Sequence, residues 1–168
     1  MEKILTDIQQ LKIGKIKLVI TDVDGVLTDG GLYYSNEGMA LKKFNVKDGM
    51  GVFRLREVGI KNAIITSATS ELMKRRAETL KIEYYYSGVW DKENKLLEIC
   101  SKENIKPENV AFIGDDVNDL AIIELAGFTA SPIDAVDEVK EAVDIVLTKK
   151  GGEGVFREFA ELIISTQK

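Results

Sequence analysis

A chain of 168 residues, 45% hydrophobic and 30% charged, has the length and composition of one globular domain with its own core. Its 28 acidic against 23 basic residues leave a net charge of −5, which excludes a cation-lined nucleic-acid groove, and no apolar run reaches membrane-spanning length. Histidine is absent and cysteine occurs once, which removes Ser-His-Asp triads, histidine-based zinc sites, phosphohistidine chemistry and an internal disulfide.

Residues 1–15 alternate charged and apolar side chains without the apolar core of a signal peptide, and predict an amphipathic lead-in helix. A buried strand follows over 17–22 and runs into Asp22-Val23-Asp24-Gly25-Val26-Leu27-Thr28-Asp29-Gly30. Residues 30–45 read as a β-hairpin around Ser35-Asn36-Glu37-Gly38. Then come a helix over 48–58, a strand over 61–66 closing on Thr66, and a helix over 70–80 behind Ser70. A strand over 83–87 and a helix over 92–104 follow. Pro107 opens a turn before a strand over 110–114, which ends in Gly114-Asp115-Asp116-Val117-Asn118-Asp119. Helices over 117–125 and 134–142, a strand over 145–148 and a helix over 155–166 complete the chain. Near-continuous apolar strands alternating with helices predict an α/β fold. It would be a Rossmann-like parallel sheet with helices on both faces and one hairpin insertion, in a single domain over 1–168.

Ligands of open parallel sheets bind beyond the carboxyl ends of the strands. Asp22, Thr66, Lys92 and Asp115 all fall at or just after such ends. Carboxylates there are costly unless a cation collects them, and the cation that suits an all-oxygen set is hard, such as Mg²⁺. Asp22 would stay ionised beside it and attack phosphorus. Asp24 would give a proton to the leaving alkoxide and take one from the hydrolytic water. The Thr66 hydroxyl would hold a phosphoryl oxygen, and Lys92 would neutralise the transferring group. Asp115 would join Asp22 and Asp24 at the metal, while Asp116 and Asp119 would order its waters or orient Lys92. Each residue also has a plainer use: Asp22 and Thr66 as helix caps, Asp24 in an Asx turn around Gly25, Lys92 on a solvated helix face. An EF-hand does not fit, because Val26 and Leu27 occupy the places of its fifth-position oxygen ligand and sixth-position glycine. Cys100, inside a helical pattern, reads as a buried structural thiol.

Taken in order, Asp22-Val23-Asp24-Gly25, Thr66, Lys92 and Gly114-Asp115-Asp116-Val117-Asn118-Asp119 resemble the four motifs of the haloacid dehalogenase-like (HAD) phosphohydrolases. The resemblance spans nearly the whole chain. It implies the aspartyl-phosphate route and a cytoplasmic Mg²⁺ enzyme. Too few residues separate the motifs for a cap domain, so it also implies a capless member. Receiver domains share an acid, hydroxyl and lysine set, but in another chain order and without a counterpart of Asp24.

Phe44-Asn45-Val46-Lys47-Asp48-Gly49-Met50-Gly51 and the tail Gly151-Gly152-Glu153-Gly154-Val155-Phe156-Arg157-Glu158 narrow the resemblance. They are similar to the branch that removes phosphate from an eight-carbon sugar acid in lipopolysaccharide precursor synthesis. The implied substrate contacts are Asn45, Val46, Lys47, Asp48, Gly49, Arg76 and Lys92, besides Asp24. The implied assembly is a homotetramer with composite sites, with no nucleic-acid or membrane partner. Ser67-Ala68 stands where relatives commonly carry Gly-Arg, and Glu153 where many carry Arg. Both departures remove a cation. They leave open a nine-carbon sialic-type 9-phosphate or a broader phosphatase, and a catalytically idle module is the separate alternative.

Overall fold

The computed structural model describes residues 5–167. The lead-in helix forms as α1 (Asp7–Ile13); the first four positions of the expected helix lie outside the described residues. Thr6 and Gln9 close its N-terminus reciprocally: Gln9 N donates to Thr6 Oγ1 at 3.2 Å and Thr6 N to Gln9 Oε1 at 3.0 Å.

The main sheet is parallel, with β1 (Leu18–Thr21) and β6 (Val110–Ile113) at its centre, paired from Leu18↔Val110 to Thr21↔Ile113. Outward from β1 lie β4 (Lys61–Ile65) and β5 (Tyr84–Tyr86); outward from β6 lie β7 (Phe128–Ser131) and β8 (Ile145–Val146). All four residues of β1 and of β6 are buried, as expected of strands covered on both faces. Alternation along β1 divides the interior. Val19 points into a core with Val52, Met73, Phe156 and Phe159, while Leu18 and Ile20 point into one with Leu96, Ile99, Phe112 and Ile122.

The first core is covered by α1, α2 (Val46–Glu57), α3 (Glu71–Leu80) and α7 (Val155–Thr166). The second is covered by α4 (Lys92–Glu103), α5 (Leu120–Leu125) and α6 (Asp137–Ala142). Cys100 is buried there and unpaired, as its helical setting implied. The hairpin exists as β2 (Tyr33–Ser35) and β3 (Gly38–Leu41), which pair with each other and stand apart from the main sheet.

Several expectations need correcting, among them the helix expected from 117, which opens as a 3-10 turn over Val117–Asp119 before α5 starts at Leu120. β7 was not anticipated: its four residues sit between the short helix α5 and Pro132, too few to show a period. Helix α2 begins at Val46 rather than 48, because Asn45 caps it by accepting from Lys47 N at 2.9 Å. Helix α6 starts at Asp137 rather than 134, because Asp134 is engaged in accepting from Gly151 N at 3.0 Å. Ser70 takes the N-cap position of α3, but its side chain makes no capping bond.

Candidate active site

At the carboxyl ends of β1, β4 and β6 a cavity of about 290 Å³ is walled by Asp22, Asp24 and Gly25 on one side and Thr66 and Ser67 on another. Asp115, Asp116, Asn118 and Gly30 complete it. The sheet builds this convergence directly. Asp22 follows β1, Thr66 follows β4 and Asp115 follows β6, and these three strands are neighbours.

Lys92, the first residue of α4, lies beneath this wall and is fully buried. Its Nζ donates to Asp119 Oδ1 at 2.5 Å and stands 3.2 Å from Asp22 Oδ1. Asp119 Oδ2 accepts from Asp115 N at 3.0 Å, so both Asp119 oxygens are occupied in fixing Lys92 and the Asp115 backbone. Burial pulls against the Lys92 charge, but Asp22 and Asp119 outweigh it and hold the ammonium above its ordinary pKa.

One ammonium is too little for this cluster. Oxygens of Asp22, Asp115 and Asp119 all lie within 4.8 Å of one another. Burial, then repulsion from Asp119, raises Asp22 to about 6 despite Lys92. Burial, then repulsion from Asp22 and Asp119, raises Asp115 to about 8. These carboxylates are short of positive charge, and an all-oxygen set fits a hard divalent ion. A Cβ at Gly25, where φ is +83°, would lie 1.8 Å from Asp115 Oδ2, so only glycine lets the loop pass this carboxylate. The same loop is braced from behind by the chain's last turn. A Cβ at Gly151 would fall 2.0 Å from Gly25 O, and Gly152 N donates to Val26 O at 2.9 Å.

The remaining predicted residues divide. Thr66 is buried at the cavity wall, and its Oγ1 accepts from Ala68 N at 3.3 Å. Asp116 is exposed and caps the following turn by accepting from Val117 N at 2.7 Å. Asp24 lines the cavity, but its carboxylate stands outside the acidic cluster and pairs with Lys42 instead. Of the other expected sugar contacts, Asn45 to Gly49 and Arg76 do not line this cavity. Asn45 caps α2, and its Nδ2 donates to Gly152 O at 3.1 Å. Val46 and Lys47 point outward, and Gly49 packs against Leu80 and Arg76. Arg76 lies over the Phe44 ring and reaches Asn45 O at 3.4 Å.

Asp48 is turned away altogether, 2% exposed, with Oδ1 accepting from Arg157 N at 2.9 Å at the start of α7. Burial pushes its pKa up to about 6, and its Oδ2 has no hydrogen-bond partner. Sequence reasoning missed Lys42, Ser67 and Asn118; Asn118 Nδ2 donates to Ser67 Oγ at 3.2 Å across the cavity mouth. Asn118 stood inside the acidic run, and its polarity at a strand end was the available signal.

A family model for haloacid dehalogenase-like hydrolases matches residues 82–159. The chain is 40% identical over 158 residues to the 3-deoxy-D-manno-octulosonate 8-phosphate phosphatase KdsC of Haemophilus influenzae, covering 94% of this chain and 88% of that protein. It is 38% identical to the Escherichia coli K12 protein of the same name, covering 93% and 83%. The Moraxella catarrhalis 3-deoxy-D-manno-octulosonate 8-phosphate phosphatase, solved with magnesium, phosphate and KDO, superposes with a TM-score of 0.91. It is 39% identical, and the match covers 94% of this chain and 91% of that one. A cobalt-bound form of the Haemophilus influenzae enzyme gives a TM-score of 0.90 at 40% identity, covering 93% and 91%. The fold is thus shared over nearly the whole length of the chain. The chain belongs to the haloacid dehalogenase-like hydrolases, in the family of the 3-deoxy-D-manno-octulosonate 8-phosphate phosphatases.

Proposed function

We propose that this chain is a Mg²⁺-dependent phosphomonoesterase that releases phosphate from 3-deoxy-D-manno-octulosonate 8-phosphate in lipopolysaccharide precursor synthesis. The observation that carries the reading is the charge-deficient cluster of Asp22, Asp115 and Asp119 around buried Lys92, in a chain 40% identical to a phosphatase of that name. Asp22 and Asp115 would hold the ion, because Asp119 already spends both oxygens on Lys92 and a backbone N–H. Bound there, Mg²⁺ supplies positive charge for the phosphoryl oxygens and keeps the carboxylates ionised.

Asp22 attacks phosphorus and forms an acyl-phosphate as the ester oxygen departs. Asp24 delivers a proton to that oxygen, then removes one from the water that cleaves the acyl-phosphate, and so ends as it began. Thr66 offers its hydroxyl to a phosphoryl oxygen, while Lys92 holds Asp22 in line and offsets the gathering charge. Such positioning and charge stabilisation are what phosphoryl transfer chiefly demands.

The finer readings are a homotetramer with composite sites and a cytoplasmic location. In support of the first, Tyr33, Tyr34 and Leu41 on the hairpin and Val46, Met50 and Phe53 along α2 are exposed apolar side chains. The α2 set recurs at i, i+4 and i+7, one face of the helix. Asn45–Gly49 and Arg76 do not line their own chain's cavity, which fits a site completed by a neighbouring copy. The free buried thiol of Cys100 suits a reducing compartment, and among the described residues no helix is long and apolar enough to cross a membrane.

Phosphate release from a panel of sugar phosphates, with Mg²⁺ and with EDTA, tests the activity. Mg²⁺-dependent preference for the eight-carbon acid is the expected result. Preference for a nine-carbon keto-acid 9-phosphate is the second reading, left open by the missing cations at Ala68 and Glu153. No release from any ester would overturn the phosphatase reading.

A further inference from the structure

Lys42 is a second buried ammonium at this site, and the steps above leave it without a task. It follows β3, and its side chain is 1% exposed. Its Nζ pairs with Asp24 Oδ1 and lies 3.3 Å from Met73 Sδ on α3. Lys43, the next residue, turns the other way and meets Asp29 Oδ2 at 2.7 Å in the open. Two consecutive lysines just beyond the hairpin's second strand therefore grip the two ends of the loop 24–29. A lysine with no inward role would carry its charge to solvent, as Lys43 does, because burying an ammonium costs several kcal/mol unless a partner repays it.

The partner here is the residue that must handle the proton. Thr28 Oγ1 also approaches Asp24 Oδ1, at 3.4 Å, a long and weak contact. Both contacts fall on Oδ1, no hydrogen bond to Oδ2 is made among the described residues, and Asp24 itself lines the cavity. We propose that Lys42 is the positioning residue of Asp24: it clamps Oδ1 so that Oδ2 alone faces the leaving oxygen and then the water. Lys42 keeps its own proton throughout. The proton that moves goes from Asp24 Oδ2 to the ester oxygen, and its replacement comes to Oδ2 from the attacking water. The inference rests on the acid/base role given to Asp24 above. It also makes the hairpin a mechanical support of the acid.

The test compares kcat/KM for two esters, the sugar-acid 8-phosphate, whose alkoxide must be protonated, and p-nitrophenyl phosphate, whose phenolate leaves unaided. Asp24→Asn is the reference, expected to lose about 10²–10⁴-fold on the alkyl ester and little on the aryl one. Lys42→Met is expected to lose roughly tenfold or more on the alkyl ester, stay within about twofold on the aryl ester, and have no further effect in an Asp24→Asn background. Lys42→Arg, which keeps the charge but alters the reach, should show a smaller loss of the same selective kind. That comparison stands alone should thermal denaturation show the methionine variant unfolded. Equal losses on both esters, or a full Lys42 effect without Asp24, would make Lys42 a structural brace and overturn the inference. If Asp24→Asn itself spares the alkyl ester, the acid role falls instead.

Discussion

Lys92 Nζ stands 2.5 Å from Asp119 Oδ1, and neither side chain has any exposure to solvent. A buried pair like this contributes little net stability while intact, yet losing one partner strands the other charge. Lys92→Met strands both Asp119 and Asp22. The expected cost is about 3–5 kcal/mol at pH 7, shrinking toward pH 5 as the stranded Asp22, already raised to about 6 by burial, takes up a proton. Urea denaturation of the two proteins at both pH values measures it, and a pH-independent difference would contradict the pairing.

Asp22→Asn should remove turnover by at least about 10³-fold, since an amide cannot form the acyl-phosphate. The fold should persist, because Lys92 keeps Asp119. Rapid-quench detection of phosphate on the protein checks the cause: the parent labels and the variant does not.

Metal affinity should depend on pH. Asp115 is held near 8 and Asp22 near 6 before a cation arrives, and the cation takes only their ionised oxygens. Binding therefore releases protons, and Mg²⁺ affinity should rise by up to about tenfold per pH unit between 6 and 8, then level off. Calorimetric titration in two buffers of different ionisation heat counts the protons. In the same assay Gly25→Ala should bind Mg²⁺ poorly, because its methyl collides with Asp115.

Asp48 makes a stability prediction of opposite sense to a salt-bridged acid. Its folded pKa is raised, from 3.8 to about 6, so the folded chain holds the proton more tightly than the unfolded chain. Its contribution to stability is fully present below about pH 4 and declines as pH rises to 6. Asp48→Asn keeps an oxygen for Arg157 N and removes the buried charge. It should be more stable than the parent by on the order of 1 kcal/mol at pH 7 and no different at pH 4. Denaturant midpoints at the two pH values decide it.

The exposed apolar set on the hairpin and α2 predicts self-association. Light scattering on the eluting protein should give four chains. Phe53→Glu together with Tyr34→Asp should give smaller species with weakened turnover. A monomeric parent would remove the composite site.

What the sequence made legible was local. Asp22 and Asp115 could be placed because each follows four buried residues, and Thr66 and Lys92 because their strand and helix were readable from runs of apolar side chains. What it hid was set by partners far along the chain. Nothing beside Asp48 announces that Arg157 N will claim its carboxylate, and nothing beside Lys42 announces Asp24. β7 was hidden for another reason. Its Thr129 and Ser131 are polar yet buried, with Thr129 bonded to Asp144, so composition disguised a buried strand between β6 and β8. The family resemblance placed Asn45 to Gly49 near a sugar, whereas in one chain they serve first as the cap and opening turn of α2.

The turn at Gly151 and Gly152 presses, backbone to backbone, on the loop that carries Asp24 and Gly25. Every catalytic carboxylate is synthesised before that turn exists. A chain halted short of Gly151 would own the reagents of the reaction but lack the wedge that shapes them. Full activity should thus wait until the turn at Gly151 and Gly152 has closed on residues 25–29.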